Sequence, residues 1–381
     1  MNAMLKKYFC AEIMQDGYKF SALDNYFAPP DGSYEECLNY IGTLPLDEAP
    51  EVFGLHNNAN IDYETTMCND FIDTILLMMP RAAGGKSAVT PEQLVNNKAM
   101  EFEEMLPDNI DWAEAHPETK AESKPGVMKS LGVFVRQEME RFNKLTREVK
   151  KNLKSLQNAI KGTEVMSQKL EDIFNNFNNN KVPASWMDNN IGFPSLKPLG
   201  SWMQDLVDRL TFIGGWVRNG PPKSFWVSSF FFPQGFMTAT MQTYARATGI
   251  AIDTLGFRTH VLEIMADEVT EAPEIGVQIH GLFIQGAKWD YKNKVIADSD
   301  PKVPLIEFPV IWLEPVVMGE DFILSPSENF ECPMYKTSAR KGELSTTGHS
   351  TNFVMMQNLP SKVHQDYWIR RGAALLCITD D

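Results

Sequence analysis

The chain has 381 residues, 43% of them hydrophobic and 22% charged, with a formal net charge of −15 and a pI near 4.9. That much apolar material supports two or three domains with cores of their own, and near-average Pro and Gly argue against extended disorder. The acidic balance disfavours wholesale binding to nucleic acid, which needs a basic footprint to displace counterions; it suits a cytoplasmic subunit whose partners are proteins.

The five cysteines, Cys10, Cys37, Cys68, Cys332 and Cys377, are odd in number, far apart and without a CxxC pair. Neither a disulfide framework nor a zinc ribbon is indicated, and the compartment reads as reducing. The N-terminus "MNAMLKKYFCAEIM" lacks the apolar run of a signal peptide. The stretch "FWVSSFFFPQGF" is broken by Pro233 and Gln234, well short of the roughly 20 residues that cross a bilayer. A soluble protein without membrane contact is expected.

Residues 1–79 read as short helices joined by turns. Pro29-Pro30-Asp31-Gly32 make a turn, Ser33 is a candidate N-cap, and the helix after it stops before Pro45. Met67, Phe71, Ile75 and Met78/Met79 fall at helical spacing, and Pro80 ends that helix.

The next stretch, "MMPRAAGGKSAVTPEQL", holds Gly84-Gly85-Lys86-Ser87, the ending of a phosphate-binding loop. A P-loop needs a glycine five residues before Gly85, where this sequence has Pro80, which has no N–H and a fixed φ. The segment before it reads as a helix instead of a buried strand, and no strand ending in Asp follows to hold magnesium. The spacing predicts a glycine loop between helices, the second capped near Thr90 with Pro91 in its first turn.

Residues 101–122 carry eight carboxylates and one lysine, punctuated by Pro107 and Pro117, and read as a solvated connection and a domain boundary. Then Leu131, Val135, Met139, Phe142, Leu145, Val149, Leu153, Leu156 and Ile160 follow one another by three or four residues. This is a long amphipathic helix ended by Gly162. A second helix is predicted over about 163–177, another over "LGSWMQDLVDRLTFIGGWV", and a fourth from Pro233 through Ala247. After residue 250, "GFRTHVLEIM", "GVQIHGLFIQG", "PLIEFPVIWLEP", "STNFVMMQ" and "RGAALLCIT" read as strands bounded by turn residues. Helices first and strands second predict an α+β fold, with a compact antiparallel sheet or barrel at the C-terminus.

Other catalytic patterns fall short. Gly348-His349-Ser350-Thr351-Asn352 approaches a nucleophile elbow, but Asn352 stands where glycine is needed and the histidine adjoins the serine; a Ser/Thr-rich turn entering a strand fits better. His56, His116, His260, His280, His349 and His364 show no metal-ligand spacing; His260 and His280 are candidate cross-strand neighbours, although partly buried, hydrogen-bonded histidines are the commoner outcome. Trp216, Arg218, Lys223 and Trp226 interleave bases with aromatics as a stacking platform does, yet the segment reads more simply as a helix end, a turn and buried rings.

Several segments together carry a resemblance. "PEVFGLHNNANI" (50–61), "EMERFNKL" (138–145), "SLKPLGSWMQDLVDRL" (195–210), "FFFPQGFMTATMQTYAR" (230–246), "GLFIQGAKWD" (281–290), "CPMYKT" (332–337), "LSTTGHSTNFV" (344–354) and "WIRRGAALLC" (368–377) resemble, in order and across nearly the whole sequence, the C-terminal end of dynein heavy chains. "LSTTGHSTNF" looks like the axonemal members. The resemblance implies that residues 1–122 are the helical small subdomain of a sixth AAA+ module, 123–250 the helical part of the dynein C-terminal domain, and 251–381 its antiparallel β-barrel. It implies a structural role bracing the ring of an ATP-driven, minus-end-directed microtubule motor in the cytoskeleton of cilia and flagella. No catalytic residue, cofactor or metal then belongs to this polypeptide, because nucleotide sites and the microtubule-binding stalk lie upstream. Its partners would be the rest of the heavy chain, other dynein subunits and, through the intact motor, microtubules.

Gly84, Gly85, Lys86 and Ser87 match a glycine-rich linker that the family carries there without nucleotide. Two departures stand out: Asn57 where proline is expected, and Gly214-Gly215 inside a helix, at roughly 1–2 kcal/mol against alanine. The abrupt helix-like start "MNAMLKKYF" suggests a piece of a longer polypeptide. A free-standing scaffold or adaptor, and a P-loop NTPase using Lys86 and Ser87, are the alternative readings.

Overall fold

The structure is a computed structural model, and it describes residues 5, 8–20, 26–44, 50, 58–78, 90–125, 127–188, 191–193, 195, 197–319, 325–337, 340 and 352–378. It is an α+β fold of helices followed by several sheets. The protein forms two compact units. The first takes Met1–Ala82, Gly281–Pro309 and Gly319–Ile378, and the second is built on Ala83–His280 and Val310–Met318.

In the first unit, helix α1 (Tyr34–Thr43) begins as the sequence predicts. Ser33 Oγ receives the Glu36 N–H, and the Glu36 carboxylate accepts the Ser33 N–H at 2.7 Å, a reciprocal cap that satisfies two orphan donors. Helix α2 (Asn58–Met78) follows, with Met67, Phe71 and Ile75 exposed. Five strands form the larger sheet of this unit, in the order β12 (Phe353–Pro360), β11 (Asn329–Thr337), β13 (Ala374–Ile378), β6 (Phe283–Gln285) and β9 (Leu305–Glu307). The hairpin of β7 (Lys288–Asp290) and β8 (Val295–Ala297) and the short helix α9 (Gln365–Arg370) complete it.

The second unit opens with α3 (Pro91–Met105), capped reciprocally by Thr90 and Gln93 with Pro91 in its first turn. The acidic stretch 101–122 exposes its eight carboxylates, as a solvated segment should, but it is not a bare connection. Residues 101–105 continue α3, and Leu106, Ile110, Ala115 and Thr119 are buried. Asn143 pins this strap by receiving the Ile110 N–H and donating to the Ile110 carbonyl, both at 2.8 Å. A small ribbon of β1 (Glu122–Lys124) and β2 (Val127–Met128) leads into α4 (Ser130–Ile160).

The predicted stripe points inward from Val135 to Leu156: Val135, Met139, Phe142, Leu145, Val149, Leu153 and Leu156 are buried together with Phe134. They pack on α3, α5 (Gln168–Asn178), α7 (Leu199–Asn219) and α8 (Pro233–Thr248), with the single turn α6 (Ala184–Met187) between α5 and α7 in sequence. Helix α5 starts at residue 168, later than the expected 163, because the Ser167 hydroxyl caps it there. The partners of the α4 stripe are helices and the aromatic run 225–236. Phe142 meets Phe231 at 4.4 Å between ring centroids, and Phe134 meets Phe230 at 5.0 Å.

The four-stranded sheet of this unit runs β3 (Phe225–Trp226), β5 (Val277–His280), β10 (Ile311–Val317) and β4 (Leu255–Val261). Gly276, just before β5, has φ +79°, and a Cβ there would lie 2.0 Å from the Leu313 carbonyl oxygen, so only glycine lets β5 enter beside β10.

Two strand-like runs of the sequence are each divided. "GVQIHGLFIQG" yields β5 and β6, and "PLIEFPVIWLEP" yields β9 and β10, with the halves in different sheets. Among the described residues the strands form these separate sheets, two of whose pairings are parallel (β3 with β5, β11 with β13), and no closed barrel ladder is among them.

Candidate functional site

Two buried polar groups of the helical layer, Glu138 and Arg209, hold backbone. Glu138 lies in the middle of the apolar face of α4 and is 2% exposed. Its carboxylate accepts the N–H of Phe231 at 2.7 Å and of Phe232 at 3.1 Å. These amides precede Pro233, where α8 begins, so the charge sits at the positive end of that helix. A carboxylate buried this deeply is tolerated only when such donors replace water.

A second network joins α7 to the same run. Arg209, 3% exposed, donates through Nε to Asp205 Oδ2 at 2.8 Å and through Nη1 to the Ser228 carbonyl at 2.5 Å. Its guanidinium lies over the Phe193 ring at 4.5 Å, and Lys197 approaches the other Asp205 oxygen at 3.3 Å. Breaking one partner would leave a buried charge uncompensated, so these groups define one packing of α7 on the loop before α8.

In the other unit, Asn58 opens α2 and is 4% exposed. Its amide donates to the carbonyls of Asp300 (2.9 Å) and Val303 (2.8 Å) and to Ser299 Oγ (3.3 Å), while its oxygen accepts the Lys302 N–H at 2.9 Å. This one residue thus closes a turn in which Lys302 has φ +65°, a conformation costly for a residue with a Cβ.

Of the residues singled out from sequence, Gly84, Gly85, Lys86 and Ser87 lie outside the described residues, as do His56, Asn57, His349, Ser350 and the rest of Gly348–Thr351. Asn352 is described: its amide donates to Thr337 Oγ1 at 2.7 Å and its oxygen receives the Thr337 N–H at 3.0 Å, tying the start of β12 to the end of β11. The pairing of His260 with His280 is corrected. Both β4 and β5 flank β10, where Trp312 stands between His260 and Gln278. His260 stacks on Trp312 at 4.5 Å and bonds Glu314 at 2.8 Å. His280 Nδ1 lies 2.8 Å from Ser224 Oγ, and burial lowers its pKa to about 4. Ser224 is 8% exposed, so the contact lies within the packed interior.

Trp216 is 2% exposed and packs against Phe225, Phe230 and Phe236, so its ring is not available as a stacking platform. Among the described residues no group of three or more His, Cys, Asp or Glu is placed to share a metal ion, and no helix is long and apolar enough to cross a membrane. Burial pushes the Cys332 thiol up to about 12, leaving it protonated and inert.

Residues 65–377 match the family described as the C-terminal domain of the dynein heavy chain, and residues 1–59 match the AAA lid domain of the dynein heavy chain. The protein belongs to the dynein heavy-chain family. Dynein axonemal heavy chain 3 of Homo sapiens is 41% identical over 384 residues, covering 100% of this sequence and 9% of that protein. Human dynein axonemal heavy chain 6 is 39% identical over 397 residues, covering 99% of this sequence and 9% of its own length. The axonemal heavy chain 12 of Rattus norvegicus is 39% identical over 379 residues, at 99% and 12%. The sequence therefore spans about a tenth of the length of these dynein relatives.

The networks above divide between the two dynein regions in an informative way. Asn58 falls in the lid match, and the turn it closes falls in the C-terminal-domain match. Glu138, Asp205, Arg209 and the loop they grip lie wholly within the C-terminal domain. No chemical motif in the sequence marks Asn58, Glu138, Asp205 or Arg209, although Glu138 interrupts an otherwise apolar helical stripe.

Proposed function

We propose that this protein is a non-catalytic structural part of an axonemal dynein heavy chain, bracing the AAA+ ring of an ATP-driven, minus-end-directed microtubule motor of cilia and flagella. Its partners in this reading are the rest of the heavy chain and, through the intact motor, other dynein subunits and microtubules in the axoneme. Nucleotide and cofactors act elsewhere in the longer polypeptide. The order of lid end (1–122), helical part (123–250) and strand part (251–381), with closure of the last into a barrel, belongs to the same proposal as an order along the sequence.

One observation carries the reading. The buried charge of Glu138 is committed to the backbone that starts α8, so the longest helix and its neighbour are keyed together by specific bonds as well as by apolar contact. A brace must resist local deformation, so that movement driven at distant sites is passed on as rigid-body motion.

Two measurements test this. Titrating the protein with ATP in a calorimeter should give no heat; saturable binding abolished by Lys86→Ala would restore the NTPase reading. In a full-length dynein that includes this sequence, Glu138→Ala should slow microtubule gliding while leaving basal ATP hydrolysis intact. Unchanged gliding by a variant whose C-terminal region is measurably less stable would end the bracing role.

A further inference from the structure

The solvent side of α4 is as patterned as its buried side. The helix holds seven Lys and Arg against three Glu, in a protein whose net charge is −15. Lys144, Arg147, Lys151 and Lys154 follow one another by three or four residues and are all exposed, with exposed Lys161 directly after the helix. That spacing keeps them on one face. The carboxylates of α4 have partners of their own: Glu138 the amides of Phe231 and Phe232, Glu140 Arg136 at 3.2 Å, and Glu148 Lys169 at 2.7 Å with the charge of Lys151 nearby. Among the described residues Lys151, Lys154 and Lys161 enter no ion pair.

The same helix already holds one acidic, irregular segment along its flank. Lys150 reaches Asp108 at 3.3 Å, Asn143 takes both backbone groups of Ile110, and Arg136 lies 5.6 Å from the Trp112 ring centroid. One ion pair, one cation–ring contact and an amide that takes both backbone groups of Ile110 thus hold this strap along α4. The ridge continues along the same side of the helix, where Lys154 lies one turn beyond Lys150.

We propose that the ridge formed by Lys144, Arg147, Lys151, Lys154 and Lys161 is a docking surface for an extended acidic polypeptide segment. From residue 144 to residue 161 the ridge runs about 25 Å at 1.5 Å per residue, the reach of about eight extended residues. A polypeptide is favoured over nucleic acid because the acidic remainder of the protein repels a continuous phosphate backbone, while a short segment can lie within the ridge.

The probe is a fluorescein-labelled deca-glutamate peptide, its binding to the full 381-residue protein followed by anisotropy at low and at near-physiological salt. The wild type should bind at low salt and weaken as salt rises, because exposed charges are screened. Combined Arg147→Glu, Lys151→Glu and Lys154→Glu should weaken binding at least about tenfold. The control Lys124→Glu, Lys223→Glu and Lys292→Glu, with the same change in net charge outside α4, should weaken it far less. Combined Arg147→Gln, Lys151→Gln and Lys154→Gln, with helicity checked by circular dichroism, guards against a folding artefact and should also lose binding. Equal loss in ridge and control variants, no binding by the wild type, or tighter ridge-dependent binding of a DNA duplex or of phosphatidylserine vesicles would overturn the proposal.

Discussion

The carboxylate of Glu138 receives the backbone N–H of Phe231 at 2.7 Å across 93 positions of sequence. Replacing it by alanine strands the buried amide donor of Phe231 and the partly buried one of Phe232, and a buried unsatisfied donor costs about 1–3 kcal/mol. Glu138→Ala should therefore lower stability by about 2–5 kcal/mol in urea melts, and Glu138→Gln, which keeps an acceptor, by roughly half as much. Equal losses from the two would mean that cavity and not hydrogen bonding sets the cost.

Phe142 packs on Phe231 and is fully buried. Phe142→Ala should cost about 3–5 kcal/mol. Because its partner ring sits on the residue whose amide Glu138 holds, the pair Phe142→Ala and Glu138→Ala should be non-additive in a double-mutant cycle by more than about 0.5 kcal/mol.

Asn58 offers a sharper substitution. Asn58→Asp keeps the shape but loses the donors and turns an oxygen toward the carbonyls of Asp300 and Val303. At neutral pH it should destabilise more than Asn58→Ala, itself expected to cost about 2–4 kcal/mol. Hydrogen exchange of the 299–303 turn should accelerate in both. If aspartate is tolerated better than alanine, the donor contacts are not what holds the turn.

In α7, Gly214 faces the Arg218 guanidinium, and a Cβ there would lie 2.9 Å from it, whereas Gly215 has open space. Gly215→Ala should raise stability by about 0.5–1 kcal/mol, by lowering the entropy of the unfolded state without a clash. A lower melting temperature would show that the glycine serves a contact of its own.

His280 gives the pH dependence its sign. Its folded pKa, about 4, is below the ordinary value of 6.5 because burial disfavours the charged ring. Between those values the unfolded protein binds a proton that the folded protein refuses, so stability falls as pH drops from 6.5 toward 4, by at most about 3 kcal/mol from this group. His280→Gln should reduce that slope relative to wild type in urea melts at pH values stepped from about 7 down to about 4.5. Parallel curves would place the histidine's proton affinity near its unfolded value.

Periodicity alone determined the helical layer. The stripe from Val135 to Leu156 repeats every three or four residues because one face must leave water, and Ser33, Thr90 and Pro233 mark helix starts by local hydrogen bonding or a fixed φ. Local chemistry also argues against a P-loop at Lys86, since the proline at position 80 does not make the turn that motif needs. What tertiary structure decided was long-range. A run such as "PLIEFPVIWLEP" has strand character throughout, yet β9 and β10 pair in different sheets, because strand pairing depends on neighbours far off in sequence. The same holds for the acidic strap, whose Leu106 and Ile110 are buried only because α4 lies beside them, and for Glu138 and Asn58. Each is an ordinary polar residue until the fold removes water and sets backbone groups among its partners.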